Sequence, residues 1–237
     1  PPGVLLVGVM VGTVLGFLNA ILIDRLRATA IIITISTMSV YFALLMYFTG
    51  GKSIYGLPGW WSDSMVLFEV ATGPDQSARF TLPILVMLVV AVFTAFIMNR
   101  TSLGRQLYAM GGNPEAARRV GVSLSTMQWF AYGYLGLLAG VAGLLQAHRV
   151  GESVPNAMIG TELNVVAAAV LGGASLLGGI GSVSGVVLGI FLLAILRNGL
   201  NLLGVSPYFF QIVIGLILLA STGITGLSLR RRRVAEA

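Results

Sequence analysis

The amino-acid sequence predicts an all-α, polytopic membrane protein, a bundle of about seven transmembrane helices. Two observations lead to this fold class. Of the 237 residues, 57% are hydrophobic and only 9% are charged, whereas soluble chains carry about 25% charged residues. The apolar residues are also grouped in runs of about 20 residues, the length that a helix needs to cross a bilayer. We therefore expect lipid, not water, to surround most of the chain.

Seven apolar runs define the predicted spans. They are Val4–Ile23, Ala28–Phe48, Leu82–Met98, Met127–Ala147, Leu163–Leu177, Gly185–Leu203 and Tyr208–Leu227. The fifth and sixth runs are irregular, since residues 172–189 contain seven glycines. Glycine allows helices to approach closely in lipid, and it also marks broken helices beside a transport path. The segment 163–184 is therefore either a closely packed span or a broken or re-entrant one.

The distribution of charge predicts the side of the membrane on which each loop lies. Cytoplasmic loops are enriched in Lys and Arg. Basic residues mark residues 24–27, the loop 99–126 and the tail 230–233, whereas most acidic residues lie in 49–81 and 148–162. We expect the three basic segments in the cytoplasm and the two acidic loops outside, an alternation that seven crossings satisfy.

Composition argues against several kinds of site. With no cysteine and one histidine, His148, the sequence indicates neither a metal site nor a disulfide. His148 lies near Glu152 and Glu162, a pattern more typical of a solvated surface cluster than of catalysis. Gly50–Ser53 resembles the end of a phosphate-binding loop, but Met46 occupies the position of its first glycine. We therefore predict a protein without enzymatic activity or cofactor, and attribute the net charge of +6 to topology, not to nucleic-acid binding.

One segment of the loop 99–126 is predicted to form a short helix. Its residues are Asn113, Pro114, Glu115, Ala116, Ala117, Arg118, Arg119 and Gly121. Asn and Pro suit the first positions of a helix, an acidic residue suits its first turn, basic residues suit its last turn, and Gly can end it. Because a helix of two turns is marginal in water, this one needs a surface, either its own membrane domain or another subunit.

The same segment carries a resemblance to a known family. Glu115-Ala116-Ala117 with Gly121 resembles the E-A-A-x-x-x-G core of the loop through which ABC importer permeases contact their ATPase subunits, without the later Leu-Pro pair. Further stretches resemble the branch that handles ribose, xylose and rhamnose, from about Gly16 to the last span. They are Leu103–Asn113, Ala116–Arg118, Gly121-Val122, Thr161–Leu163, Ala167–Gly173, Gly178–Gly181 and Asn198–Val205.

The resemblance implies a single transmembrane permease domain over residues 1–237 that moves a monosaccharide across the bacterial inner membrane. It also implies three partners: ATP-binding subunits that hydrolyse ATP, a second permease copy, and a periplasmic sugar-binding protein. Members of this branch have helices before the equivalent of Val4, so we expect N-terminal helices to be missing here. Permeases for autoinducer 2 or branched-chain amino acids share the loop and are the alternative. The sequence identifies neither the substrate nor whether the permease pair is a homodimer or a heterodimer.

Few charged residues lie inside the predicted spans. Arg197 is the only strong charge well within one, and with Asn198 and Asn201 it predicts a polar stripe that faces either the bundle interior or the transport path. Glu162 and Asn164, at the edge of the fifth span, are the other candidates. An ion-coupled secondary transporter, a second class of function, would be expected to carry more ionisable residues inside its spans.

Overall fold

The computed structural model describes residues 2–26, 28–56, 66–73, 76–206, 208–220 and 223. These residues are mainly helical, which confirms the predicted fold class. The helices and strands are α1 Pro2–Leu26, α2 Ala30–Thr49, β1 Val66–Gly73, β2 Gln76–Thr81, α3 Leu82–Arg100, α4 Ser102–Gly112, α5 Pro114–Arg119, α6 Leu124–Val150, α7 Glu162–Leu171, α8 Val183–Leu202 and α9 Tyr208–Ala220. The basic tail 230–233 and the end of the seventh predicted span lie outside the described residues.

Five of the described helices are long and apolar enough to cross a membrane: α1, α2, α3, α6 and α8. The helices α7 and α9 are apolar but shorter. Each of the seven predicted spans coincides with one of these helices, and most boundaries agree within a few residues. In α3 no residue is buried, as expected for a helix whose surface is covered by lipid.

The predicted span Leu163–Leu177 was wrong at its C-terminal end, because α7 stops at Leu171. Gly173 adopts a left-handed conformation, with φ +85°, and its N–H donates to the carbonyl of Val170 at 2.9 Å. The N–H of Ala174 donates to the carbonyl of Ala169, also at 2.9 Å. These two bonds form a Schellman motif, which ends a helix by satisfying its last carbonyls. The glycines that made this span uncertain therefore terminate it.

Two features in the loop 49–81 were not predicted. The strands β1 and β2 form an antiparallel hairpin in which Val66 pairs with Thr81 and Gly73 with Gln76. Gly50, from the sequence that resembles a phosphate-binding loop, has φ 59° and ends α2 by donating its N–H to the carbonyl of Met46. These glycines therefore end a helix.

The described residues divide into two compact units. The first comprises Pro1–Val90 and Ser123–Ala157. Its helices α1 and α6 pack through glycines: a Cβ atom added at Gly12 would lie 2.5 Å from the carbonyl oxygen of Gly136, and one added at Gly16 would overlap the carbonyl of Tyr132. Without side chains between them, the two backbones are in direct contact, as in small-residue packing in lipid.

Two loop contacts in this first unit join segments that the sequence leads us to expect on the same side of the membrane. Ile54 and Ser153 exchange two backbone hydrogen bonds of 3.0 Å, which joins the two loops expected outside. At the other end of α1, the hydroxyl of Ser125 donates to Asp24 at 2.6 Å, which joins two segments expected in the cytoplasm.

The second unit comprises Ala91–Val122 and Met158–Ala237. Its core contains side chains from α7, α8 and α9, namely Ala167, Ala168, Leu193, Phe210 and Ile214. Glycines again bring two helices together, because a Cβ atom at Gly189 would overlap the carbonyl oxygen of Ala168 and one at Gly172 would overlap the backbone of Gly185. All of the predicted site residues lie in this unit.

Candidate coupling surface and polar cavity

The predicted short helix is present as α5, and we call Asn113–Gly121 the coupling segment. The side chain of Asn113 accepts a hydrogen bond from the backbone N–H of Ala116 at 3.0 Å, so it caps the helix as predicted. Pro114 occupies the first turn, together with Glu115. Local rules therefore account for where this helix begins.

The C-terminal end of the coupling segment also follows its sequence. Gly121 has φ +87°, and its N–H donates to the carbonyl of Arg118 at 3.0 Å. The N–H of Val122 donates to the carbonyl of Ala117, also at 3.0 Å. These bonds form a second Schellman motif, so Gly121 ends the helix as the sequence predicts.

The two central alanines of the coupling segment differ in their exposure to solvent. Ala117 is 3% exposed, so its side chain faces this chain. Ala116, Glu115, Arg118 and Arg119 are exposed. The small size of Ala117 is therefore required by packing within this chain, and the face available to another protein carries Ala116 and the charged side chains.

The helix α4 precedes the coupling segment and was not predicted. The Thr101 side chain caps it by accepting from the backbone N–H of Gly104 at 3.3 Å. Asn113 both ends α4 and caps α5, so the two helices follow one another with one residue between them. The capping Thr101, in front of Ser102–Gly112, was the sequence signal for this helix.

The helix α4 contacts the loop Gly172–Ser182, which joins α7 to α8 and is here called the glycine loop. The hydroxyl of Tyr108 donates to the carbonyl of Gly181 at 2.8 Å. At the end of α4, Gly111 faces Gly179: a Cβ atom added at Gly111 would lie 2.7 Å from the backbone nitrogen of Gly179. The coupling segment and the glycine loop are thus connected through α4.

A polar cavity of about 230 Å³ lies elsewhere in the second unit. It is lined by Asn164, Arg197, Asn198, Leu200, Asn201, Val205, Ser206, Phe210 and Gln211. Four of the five residues predicted for a transport path line this cavity; Glu162, the first residue of α7, does not.

Sequence reasoning missed Ser206, Phe210 and Gln211. The available signal was Gln211, an amide in the otherwise apolar run that begins at Tyr208.

Arg197 is the only charged side chain among the residues that line the cavity. Its guanidinium carbon lies 5.9 Å from the centre of the Phe210 ring, within the range of a cation–π interaction. In the described part of the chain it forms no ion pair. With the amides of Asn164, Asn198, Asn201 and Gln211, the cavity offers both donors and acceptors, a set suited to a compound with several hydroxyl groups.

Comparison with known proteins places this geometry in context. The sequence profile of the family described as "Branched-chain amino acid transport system / permease component" matches residues 1–222. The chain is 32% identical over 212 residues to the ribose import permease protein RbsC of Haemophilus influenzae. It is 37% identical over 218 residues to the autoinducer 2 import system permease protein LsrC of Yersinia pestis strain Pestoides F, and of Yersinia pseudotuberculosis strain IP 31758.

These alignments cover 90% of this chain. They cover 64% of the Haemophilus protein and 59% of the Yersinia proteins, so the chain spans less than two thirds of the length of these relatives. No solved structure matches the chain.

Proposed function

The chain belongs to the branched-chain amino acid transport system permease component family, and on that premise we propose that it is the transmembrane permease of a bacterial ABC sugar importer. It provides the path through the inner membrane, and separate ATPase subunits hydrolyse ATP. A second permease copy and a periplasmic binding protein complete the importer. Support for the class of substrate comes from the relative that is a ribose import permease and from the amide-rich cavity.

A second candidate substrate is autoinducer 2, because the Yersinia relatives are autoinducer 2 import permeases. The proposed mechanism is the same for both substrates. Closure of the ATPase subunits on ATP moves the coupling segment, and the permease changes between states that expose the path to opposite sides of the membrane.

The coupling segment is the observation that supports this function most directly. Its caps are formed by its own residues, it is only six helical residues long, and it presents Ala116 between exposed charged side chains. A helix with a small exposed residue at its centre can enter a groove of a partner closely. Overpacking such a contact costs about 1–3 kcal/mol.

The test is to replace Ala116 by Trp and measure how much ATPase subunit is retained when the importer is purified. We expect about tenfold weaker retention, the equivalent of about 1.4 kcal/mol. Ala157, exposed in the loop expected outside, provides the control with the same substitution, and Ala157→Trp should retain the subunit normally. Equal retention in both variants would contradict the assignment of this surface.

A further inference from the structure

Backbone atoms alone form the contact between α4 and the glycine loop at Gly111 and Gly179. A Cβ atom at Gly178 would lie 2.6 Å from the carbonyl oxygen of Gly111, and one at Gly179 would lie 2.6 Å from the Cα atom of Gly112. Side chains can absorb a small displacement by changing rotamer, whereas two backbones in contact cannot. A movement of α4 toward the loop therefore displaces the loop.

Both sides of this contact are directly connected to elements of the proposed function. On one side, only Asn113 separates α4 from α5. On the other side, the glycine loop continues into α7 and α8, whose backbones meet at Gly172 and Gly185. The far part of this helix pair contributes Asn164 and Arg197 to the polar cavity.

We propose that the Gly111–Gly179 contact, positioned by the hydrogen bond from Tyr108 to Gly181, transmits movement of the coupling segment to α7 and α8 and changes access to the polar cavity. This inference rests on the proposed function, because the movement originates in the ATPase subunits. Tyr108 acts as a positioning residue, since its hydroxyl group donates to the carbonyl oxygen of Gly181 at 2.8 Å and so holds the glycine loop against α4.

The two adjacent glycines of α4 provide a matched pair of variants. A Cβ atom at Gly111 would lie 2.7 Å from the backbone of Gly179, whereas one at Gly112 would lie 3.8 Å from it, an ordinary van der Waals distance. Gly111→Ala and Gly112→Ala change the same residue type within the same helix, and only the first forces the two backbones apart.

The chain contains no cysteine, so a single Asn201→Cys substitution reports on the cavity. The measurement is the initial rate at which a water-soluble maleimide labels Asn201→Cys in the assembled importer, with and without ATP and vanadate. We expect nucleotide to change this rate about fivefold or more. Gly111→Ala should abolish the change, while Gly112→Ala should preserve it and both should retain the ATPase subunit.

Tyr108→Phe is the second variant, because it removes only the hydroxyl group. It tests the proposed transmission of movement even if the Gly111→Ala protein does not insert into the membrane. Loss of one hydrogen bond should reduce the nucleotide-dependent change about twofold to tenfold. Three results would each overturn the inference: a response in Gly111→Ala equal to that in Gly112→Ala, an unreduced response in Tyr108→Phe, or no response in Asn201→Cys alone with the ATPase subunit bound. Absence of the ATPase subunit from the unsubstituted importer would instead overturn the proposed function.

Discussion

Gly121 has a backbone conformation that residues with a side chain rarely adopt. It has φ +87°, and nothing lies within 4 Å of the position of an added Cβ atom. A left-handed conformation costs a residue with a side chain roughly 1–2 kcal/mol, and Asn tolerates it better than other such residues. We therefore predict that Gly121→Val weakens ATPase retention while Gly121→Asn largely keeps it. If Val and Asn have the same effect on retention, the left-handed turn is not what matters here.

Arg197 contributes both a positive charge and a planar guanidinium group to the polar cavity. Its guanidinium lies over the Phe210 ring, an arrangement that an ammonium group reproduces poorly. We predict that Arg197→Leu lowers uptake by cells that carry the complete importer, and that Arg197→Lys restores only part of it. Thermal stability of the purified protein is the control for folding. Unchanged uptake and stability in Arg197→Leu would exclude a role in the path.

The residues that could be predicted from sequence are those governed by their near neighbours. Asn113 and Gly121 obey capping rules that involve partners three to five residues away. Ser206 and Gln211 could not be placed beside Arg197, because they approach it only when α9 packs against α7 and α8. The burial of Ala117 was missed for the same reason, since a helix of six residues does not indicate which side it buries.

The glycine contact between α1 and α6 should determine the stability of the first unit. A Cβ atom at Gly136 would overlap the backbone of Gly12 and lie 2.9 Å from the Cα atom of Gly16, whereas one at Gly143, in the same helix, meets nothing within 4 Å. We predict that Gly136→Ala costs about 1–3 kcal/mol and lowers the melting temperature in detergent. Gly143→Ala should keep or raise the melting temperature, because alanine favours a helix by about 0.5–1 kcal/mol.

A decrease of similar size in both variants would contradict the prediction, because an added Cβ atom at Gly143 meets no neighbouring atom and alanine favours a helix. The prediction is specific because the two glycines lie in the same apolar helix and differ mainly in what faces them.

The helices that could be predicted from the sequence are those that coincide with a long apolar run. The long helices α1, α2, α3, α6 and α8 coincide with apolar runs of membrane-spanning length. The end of α7 depended on which glycine of the run 172–189 adopts a positive φ, and composition does not distinguish Gly173 from its neighbours. The strands β1 and β2 lie in the loop 49–81, where the apolar run Met65–Phe68 is much shorter than a membrane span and was not recognised as part of a strand.

The sidedness of the whole chain can be measured directly, because a single cysteine can be placed at any exposed position. Val120, within the coupling segment, is 80% exposed, and Asn156 is exposed in the loop that contains Ser153. We predict that a membrane-impermeant maleimide added outside intact cells labels Asn156→Cys and not Val120→Cys. Disruption of the cells should make Val120→Cys reactive. Labelling of Val120→Cys in intact cells would reverse the topology.

The shortness of α7 has a consequence for the passage of ions across the membrane. Its ten residues rise about 15 Å, half of the roughly 30 Å of hydrocarbon. The helix α8 is long enough to cross the membrane, and Gly172 lies beside Gly185 near its start. We therefore expect α7 to reach one surface and to begin near mid-membrane. The irregular backbone at Met158–Thr161, with Gly160 at φ +82°, therefore needs water or protein around it. Along α7 we therefore expect the layer that insulates against ions to be about half as thick as the bilayer, and the close backbone contacts of α7 with α8 at Gly172 and Gly189 to keep that layer closed.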